Sequence, residues 1–535
     1  MNQNCTQCHN SFLISDHDSA FYQKVSPEIK GSKYIVQNPQ LCPDCRQKRR
    51  LRFRNERHLY ARHCDLCQKD IIALYPQSTS FPVYCPNCWW SDNWDATQYG
   101  LAFSPQSEVF SQIKTLFHTV PRISLINIES ENSTYAHDAS HNKNCYLVFS
   151  AAHCQDSLYL TDCGFIRNSL DCYWCLDCEL CYEGISLTKC YQTFFSIHCH
   201  NLNFSYFCFD CHNCNYCFGC FNLNNKEYYI FNQPYTKEAY LQKLAQYQKQ
   251  LSTWSGNQLL CNEVKIFWHK QPHKYANTNI IDNCTGDFLV NCKNCQDCFN
   301  VVNSQDCKYL YDNHTLKDSY DCNISGQSDL LYNCQSCWGF MNICCSFSAH
   351  CSNLYYSDSC FYCENCFGCV GLNHKKYCIF NKQYTKEDFD RLAPQLIQLL
   401  VDKNAWGEFF PSEIAPIEES DSVLQYYFPP TDEIPIDEIV GHSSLESILT
   451  HEQSCRACSK KYLIIKQEED FYYQHQLPFP PLCPTCRHKR RMQQKNPRKL
   501  YSRHCQQCQQ AVSSSYPDID PRVIYCEQCY AQSAL

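Results

Sequence analysis

The cysteines of this chain follow two different spacing rules, and any fold has to satisfy both. At the two ends they occur only as CxxC pairs. The N-terminal pairs are Cys5/Cys8, Cys42/Cys45, Cys64/Cys67 and Cys85/Cys88, and the C-terminal pairs are Cys455/Cys458, Cys483/Cys486, Cys505/Cys508 and Cys526/Cys529. The first pairs lie 450 positions apart and the other three 441 apart. The surrounding text repeats as well: LCPDCRQKRR at 41–50 returns as LCPTCRHKRR at 482–491, and LYARHCDLC at 59–67 as LYSRHCQQC at 500–508. One module is therefore used twice, its only length change falling between its first two pairs.

A two-residue spacer turns both thiolates toward one ion, and two such pairs close a tetrahedral shell of the kind that holds structural zinc. Four pairs per module imply two zinc ions each, about four per chain. A redox reading of the CxxC pairs would require a thioredoxin-like βαβ context that these segments lack. Sequential pairing, first with second and third with fourth, gives a treble clef followed by a zinc ribbon, and a cross-braced pairing of first with third fits the same spacings. Sequential use is the preferred reading because Cys45 and Cys486 each open an expected helix, the second ending before Pro497. His63 and His504 adjoin ligand cysteines but are surplus to a filled shell. Trp89, Trp90 and Trp94 have no counterpart in the second copy and read as packing anchors.

These modules resemble the zinc-ribbon and treble-clef domains of uncharacterised Cys-rich bacterial proteins, many from small-genome candidate phyla. The resemblance rests on the CxxC-F pattern at 5–12, D-x-x-FY at 18–22, CPxCR at 42–46 and LYxRHCxxC at 59–67. It covers roughly 90 residues at each end, and the Cys-rich middle is also typical of the group. It implies zinc binding and brings no activity, substrate or catalytic residue.

The middle follows the second rule. Cys145, Cys154, Cys163, Cys172, Cys181, Cys190, Cys199, Cys208 and Cys217 are each nine residues apart, and the residue after each is often aromatic. Nine residues suit a strand plus a turn, so two units are expected to make one coil of a parallel β-solenoid. The period returns at Cys298 and Cys307, and again at Cys351, Cys360 and Cys369; CFGCFNLNNKEYYIFNQPYTKEAY at 217–240 recurs 149 positions later. The middle is thus duplicated, each half ending in a closing strand and a helix capped by Thr236 or Thr385. With 13 glycines in the whole chain, the glycine-rich calcium-binding nonapeptide roll is excluded. The ladder cysteines read as buried apolar residues, with metal or cluster binding by dense runs such as Cys172, Cys175, Cys178 and Cys181 as the alternative.

The expected fold is mainly β with few helices. Its parts are a double-zinc module (1–95), a connecting segment (96–125), two solenoid halves with capping helices (126–275 and 276–403), an acidic Pro-containing linker (404–450) and a second double-zinc module (451–535). No apolar run is long enough for a membrane-spanning helix, and clustered thiols place the chain in the reducing cytoplasm. Net charge is −8, but it is segregated. Arg46, Lys48, Arg49 and Arg50, and in the second copy Arg487, Lys489, Arg490 and Arg491, form helical basic edges suited to phosphate backbones. The expected function is a non-enzymatic zinc-binding scaffold that contacts nucleic acid, RNA before DNA, or an acidic partner. Metal storage or thiol-redox chemistry in the solenoid, and a solenoid-based enzyme, are the alternatives. No catalytic residue or small-molecule substrate is identified.

Overall fold

The computed structural model describes residues 1–428 and 453–533. Among them strand outweighs helix, and the largest sheets belong to two parallel stacks. The first runs from the pairing of Asn127 with Ala139 to that of Asn215 with Glu227, always twelve residues apart. The second runs from Thr278 with Leu289 to Phe367 with Ile379. Its first step is eleven residues and the following ones twelve; from Asp329 with Phe340 the step shortens to eleven again, and it returns to twelve at Gly339 with Cys351. This one-residue deletion sets equivalent positions of the two stacks 150 apart before it and 149 after it.

The stacking unit is therefore twelve residues, not the pair of nine-residue units expected from the cysteine spacing. Each turn of backbone is four triplets. Every third residue from Asp138 to Phe231 has a left-handed φ, between +45° and +66°, and only Gly219 among them is glycine. Each such residue costs about 1–2 kcal/mol locally. Hydrogen bonds to the turns on either side offset that cost: Asp156 N–H reaches Lys143 O at 2.9 Å, and Gln155 N–H reaches Ile166 O at 2.8 Å.

The residue after each left-handed position points inward, so one interior cluster is drawn wholly from every third residue between Ala136 and Leu223. Nine is a multiple of three, so cysteines nine apart all face inside while stepping back one corner per turn. Six of these nine thiols, Cys154 through Cys199, then lie within reach of two carbonyl oxygens. Cys190 Sγ reaches Thr188 O at 3.4 Å and, nine residues on, Cys199 O at 3.7 Å. Inward serines close the remaining backbone: Ser157 Oγ accepts from Ser169 N at 3.1 Å and Ser169 Oγ from Cys181 N at 2.9 Å.

Each stack ends as its sequence implied. Glu227–Ile230 folds back on Gln233–Pro234 and Cys378–Ile379 on Lys382–Gln383. The helices Lys237–Leu251 and Lys386–Asp402 follow, N-capped by Thr236 and Thr385. A further helix, Trp254–His269, closes the first stack with Trp254, Leu260, Val264 and Trp268 buried.

The modules cross over. The N-terminal module lies on the second stack and the C-terminal module on the first, as the ion pairs below establish. Residues 404–428 are not an extended linker. Trp406, Phe409 and Phe410 are fully buried in the core of the second stack, and Val423 N–H donates to Arg54 O at 2.9 Å. The remainder of the acidic segment, 429–450, lies outside the described residues.

Candidate metal centres and the docking interface

The first CxxC pair of every site sits at the tip of a two-stranded hairpin, such as Asn2–Asn4 with Ser11–Leu13 or Tyr60–His63 with Asp70–Ala73. The residue after its second cysteine is left-handed in all four sites: His9, Gln68, Ser459 and Gln509. That turn lets backbone N–H groups face the sulfurs. In the second pair of a site, Cys42, Cys85 and Cys483 each N-cap a helix that begins with proline, a residue suited to the first helical position.

Hairpin tip and helix start converge. Four groups result: Cys5, Cys8, Cys42 and Cys45; Cys64, Cys67, Cys85 and Cys88; Cys455, Cys458, Cys483 and Cys486; Cys505, Cys508, Cys526 and Cys529. Within each, all sulfurs lie within 4.8 Å of one another. The pairing is sequential rather than cross-braced. Closest approaches include Cys8 to Cys42 at 3.6 Å and Cys508 to Cys526 at 3.7 Å. A tetrahedral ion with ~2.3 Å metal–sulfur bonds sets its sulfurs about 3.8 Å apart, so the four sites fit four zinc ions. His63 pairs instead with Asp70, at 2.8 Å on the surface.

Residues 1–54 match a family model. Its description is a probable treble clef domain, and the match spans the first four-thiolate site with the helix that leaves it. No curated protein matches the chain.

The helices that leave these sites do not present their arginines to solvent. Arg46 grips Asp321 of the second stack in a two-point ion pair, Nε to Oδ1 and Nη2 to Oδ2 both at 2.9 Å. Arg50 donates to Asn323 and Asn333, each at 2.8 Å. In the other copy Arg487 Nη1 reaches Glu468 at 2.8 Å and Asp171 of the first stack at 3.2 Å. Arg491 lies 2.7 Å from the same Asp171, and Arg490 pairs with Glu183. Arg49 pairs with Glu408 at 3.4 Å.

Arg46, Arg50, Arg487 and Arg491 are each at most 2% exposed. Their assignment as phosphate contacts is therefore corrected: the charges are spent on the protein's own carboxylates. Burial acts to lower Arg46, but the adjacent Asp321 charge more than offsets this and holds the guanidinium charged. Tyr309 covers Arg46 and Tyr159 covers Arg487, at 5.3 and 4.4 Å from ring centre. Of the eight basic residues, Lys48 is exposed, over Phe428 at 4.7 Å, and Lys489 is half-buried.

Asp171 and Asp321 were missed as partners, although a signal was present. They are 150 positions apart, each directly before an inward cysteine in SLDC and SYDC. An acid kept at the same place in a repeat otherwise built for burial needs a cation. The tryptophans behave as anchors: Trp90 packs edge-on against Phe361 of the second stack at 5.1 Å, and Trp89 and Trp94 pack at a tilt with ring centres 4.6 Å apart.

The interior thiols of the stacks are a separate population. Burial pushes the Cys145 thiol up to about 11. Among the described residues, only the four terminal sets bring three or more ligand atoms together. The dense CxxCxxC runs place successive sulfurs on different corners of one turn, which is why they do not converge on an ion.

Proposed function

We propose that this protein is a non-enzymatic, zinc-stabilised scaffold in which two terminal modules clamp a duplicated β-solenoid, each module gripping the half that is farther away in sequence. The observation that carries this reading is the paired burial of Arg46 and Arg50 on Asp321 and of Arg487 and Arg491 on Asp171. The acidic partner expected for the basic helices is the protein itself. Zinc is the ion best suited to closed four-thiolate sites, and such sites favour a reducing, cytoplasmic setting.

Binding of RNA through the same helices is the rival reading, and it would have to use the outward edge that Lys48 and Lys489 mark. Elemental analysis should return four zinc ions per chain. An electrophoretic shift assay with structured RNA at low salt should show no complex. A salt-sensitive shift that is lost in the Lys48→Glu, Lys489→Glu double variant would restore the nucleic-acid reading in place of the clamp.

A further inference from the structure

The two halves differ most beside the zinc ribbons. An open cleft of about 590 Å³ lies between the first stack, the start of the second stack and the C-terminal helix, within the usual size range of ligand sites. One wall is a single corner of five successive turns: Trp174, Ser186, His198, Asp210 and Asn222. The adjoining column carries Thr188, His200, His212 and Asn224. At ~4.8 Å per turn this wall runs for roughly 20 Å.

In the other half the same place is closed. The positions 149 residues after His198, His200 and His212 hold Phe347, Ala349 and Phe361. Phe361 belongs to an apolar cluster with Trp89, Tyr84 and Ile123, against which Trp94 and Ala349 also pack, and Trp90 covers its ring. The positions 441 after Trp89 and Trp90 hold Tyr530 and Ala531. Both sides of the seam thus change together, from aromatic and packed to polar and open.

Its charges are matched in pairs. His212 Nε2 lies 3.0 Å from Asp210, which also accepts from the Tyr530 hydroxyl, and Lys274 Nζ lies 2.9 Å from Glu527. His198 rests against Phe288, ring centres 4.5 Å apart, and its Nδ1 is buried without a hydrogen-bond partner. Burial holds both His198, at about 3, and His200 below the usual imidazole range, so both are neutral donor–acceptor groups.

We propose that this cleft binds a saccharide. A long groove of amides, hydroxyls and neutral imidazoles, bounded by Trp174 and Phe288, suits a neutral chain of hydroxyl groups with apolar ring faces. With Lys274 and His212 already paired, the groove offers a phosphate or carboxylate little.

The test uses the full, zinc-loaded protein on an array of bacterial, plant and fungal oligosaccharides. It should retain a subset, competed by the same free sugar and accompanied by a change in tryptophan fluorescence. The variant Ala531→Trp with His212→Phe, which copies the sealed half, should lose at least tenfold in affinity while keeping its zinc content and thermal midpoint. Should that variant fail to fold, Asp210→Asn and His198→Ala must each show the loss. Retention of no glycan, equal retention by the filled variant, or a fluorescence response to inorganic phosphate but not to sugar would each overturn the proposal.

Discussion

Beside the basic helix of the N-terminal module, the chain seals its own core with Trp406. Its indole lies over Phe367, rings 15° apart, and donates to Tyr34 O at 3.3 Å, while the neighbouring Glu408 pairs with Arg49. Beside the equivalent helix of the C-terminal module that role passes to Trp254–His269, and the fit is looser. Neither Trp254 nor Trp268 has a hydrogen-bond partner for its indole nitrogen, and Arg490 turns to Glu183 instead. What the halves share is what unpaired charge and unligated thiolate make costly to lose: four-thiolate sites and arginines on one aspartate. What they do not share is how the remaining gaps are filled, which packing tolerates in many ways. The duplicated molecule acts as its own control.

The comparison breaks hardest if the metal is removed. Structural zinc contributes about 10–16 kcal/mol per site in small domains, so Cys42→Ser or Cys483→Ser should unfold its own module. Limited proteolysis should then cut only that end, together with the face of the stack it covers. Cleavage at both ends would mean that the halves do not fold independently.

Next in size are the aspartates. Asp321→Ala leaves Arg46 and Arg50 buried without their carboxylate, and Asp171→Ala removes the carboxylate that Arg487 and Arg491 share, each at a cost of about 3–5 kcal/mol. Denaturant unfolding should show similar losses for the two. A marked inequality would show that Glu468 and Glu183, carboxylates that in the other copy become Asp18, paired with Lys308, and Asn333, share the load in one half alone.

Those aspartates mark the boundary of what the sequence could reveal. Sixteen ligands, two duplications and both threonine caps can be read from spacing, because each depends on residues close in the chain. The grip of Arg46 on Asp321 spans 275 residues, and a run of basic residues looks the same whether it meets RNA or a carboxylate. The length of the turn was hidden for a different reason. If every third side chain points inward, cysteines nine apart are compatible with several turn lengths, and only backbone pairing selects twelve.

Smaller effects sharpen the contrast. Trp406→Ala should cost about 3–5 kcal/mol, and Trp254→Ala less, since that indole lines a partly open pocket together with Trp268, Glu183 and Arg490. Thermal midpoints of the two variants decide it, and equal shifts would mean the first half is as tightly sealed as the second. The least perturbing probe is chemical. Cys154, Cys163 and Cys190 should alkylate far more slowly in the native protein than in denaturant, because all three are buried; burial raises the Cys154 thiol above the ordinary range, and the Cys178 sulfur together with burial raises Cys190. Mass-spectrometric labelling at rates equal to the unfolded control would show that the interiors are open.

The short parallel pairings at the foot of each stack bear on the order in which a ribosome can release this fold. Val83–Tyr84 of the first ribbon pairs with Arg122–Ile123, only some forty residues later and just before the first stack begins. His273–Lys274, which leads into the second stack, pairs with Ile524–Tyr525 of the C-terminal module, some 250 residues later. A turn studded with left-handed residues is unfavourable until something lies beneath it. The first stack therefore has its foundation strand as soon as it emerges. The second waits, its foundation strand unpaired, until the C-terminal module some 250 residues later has been made.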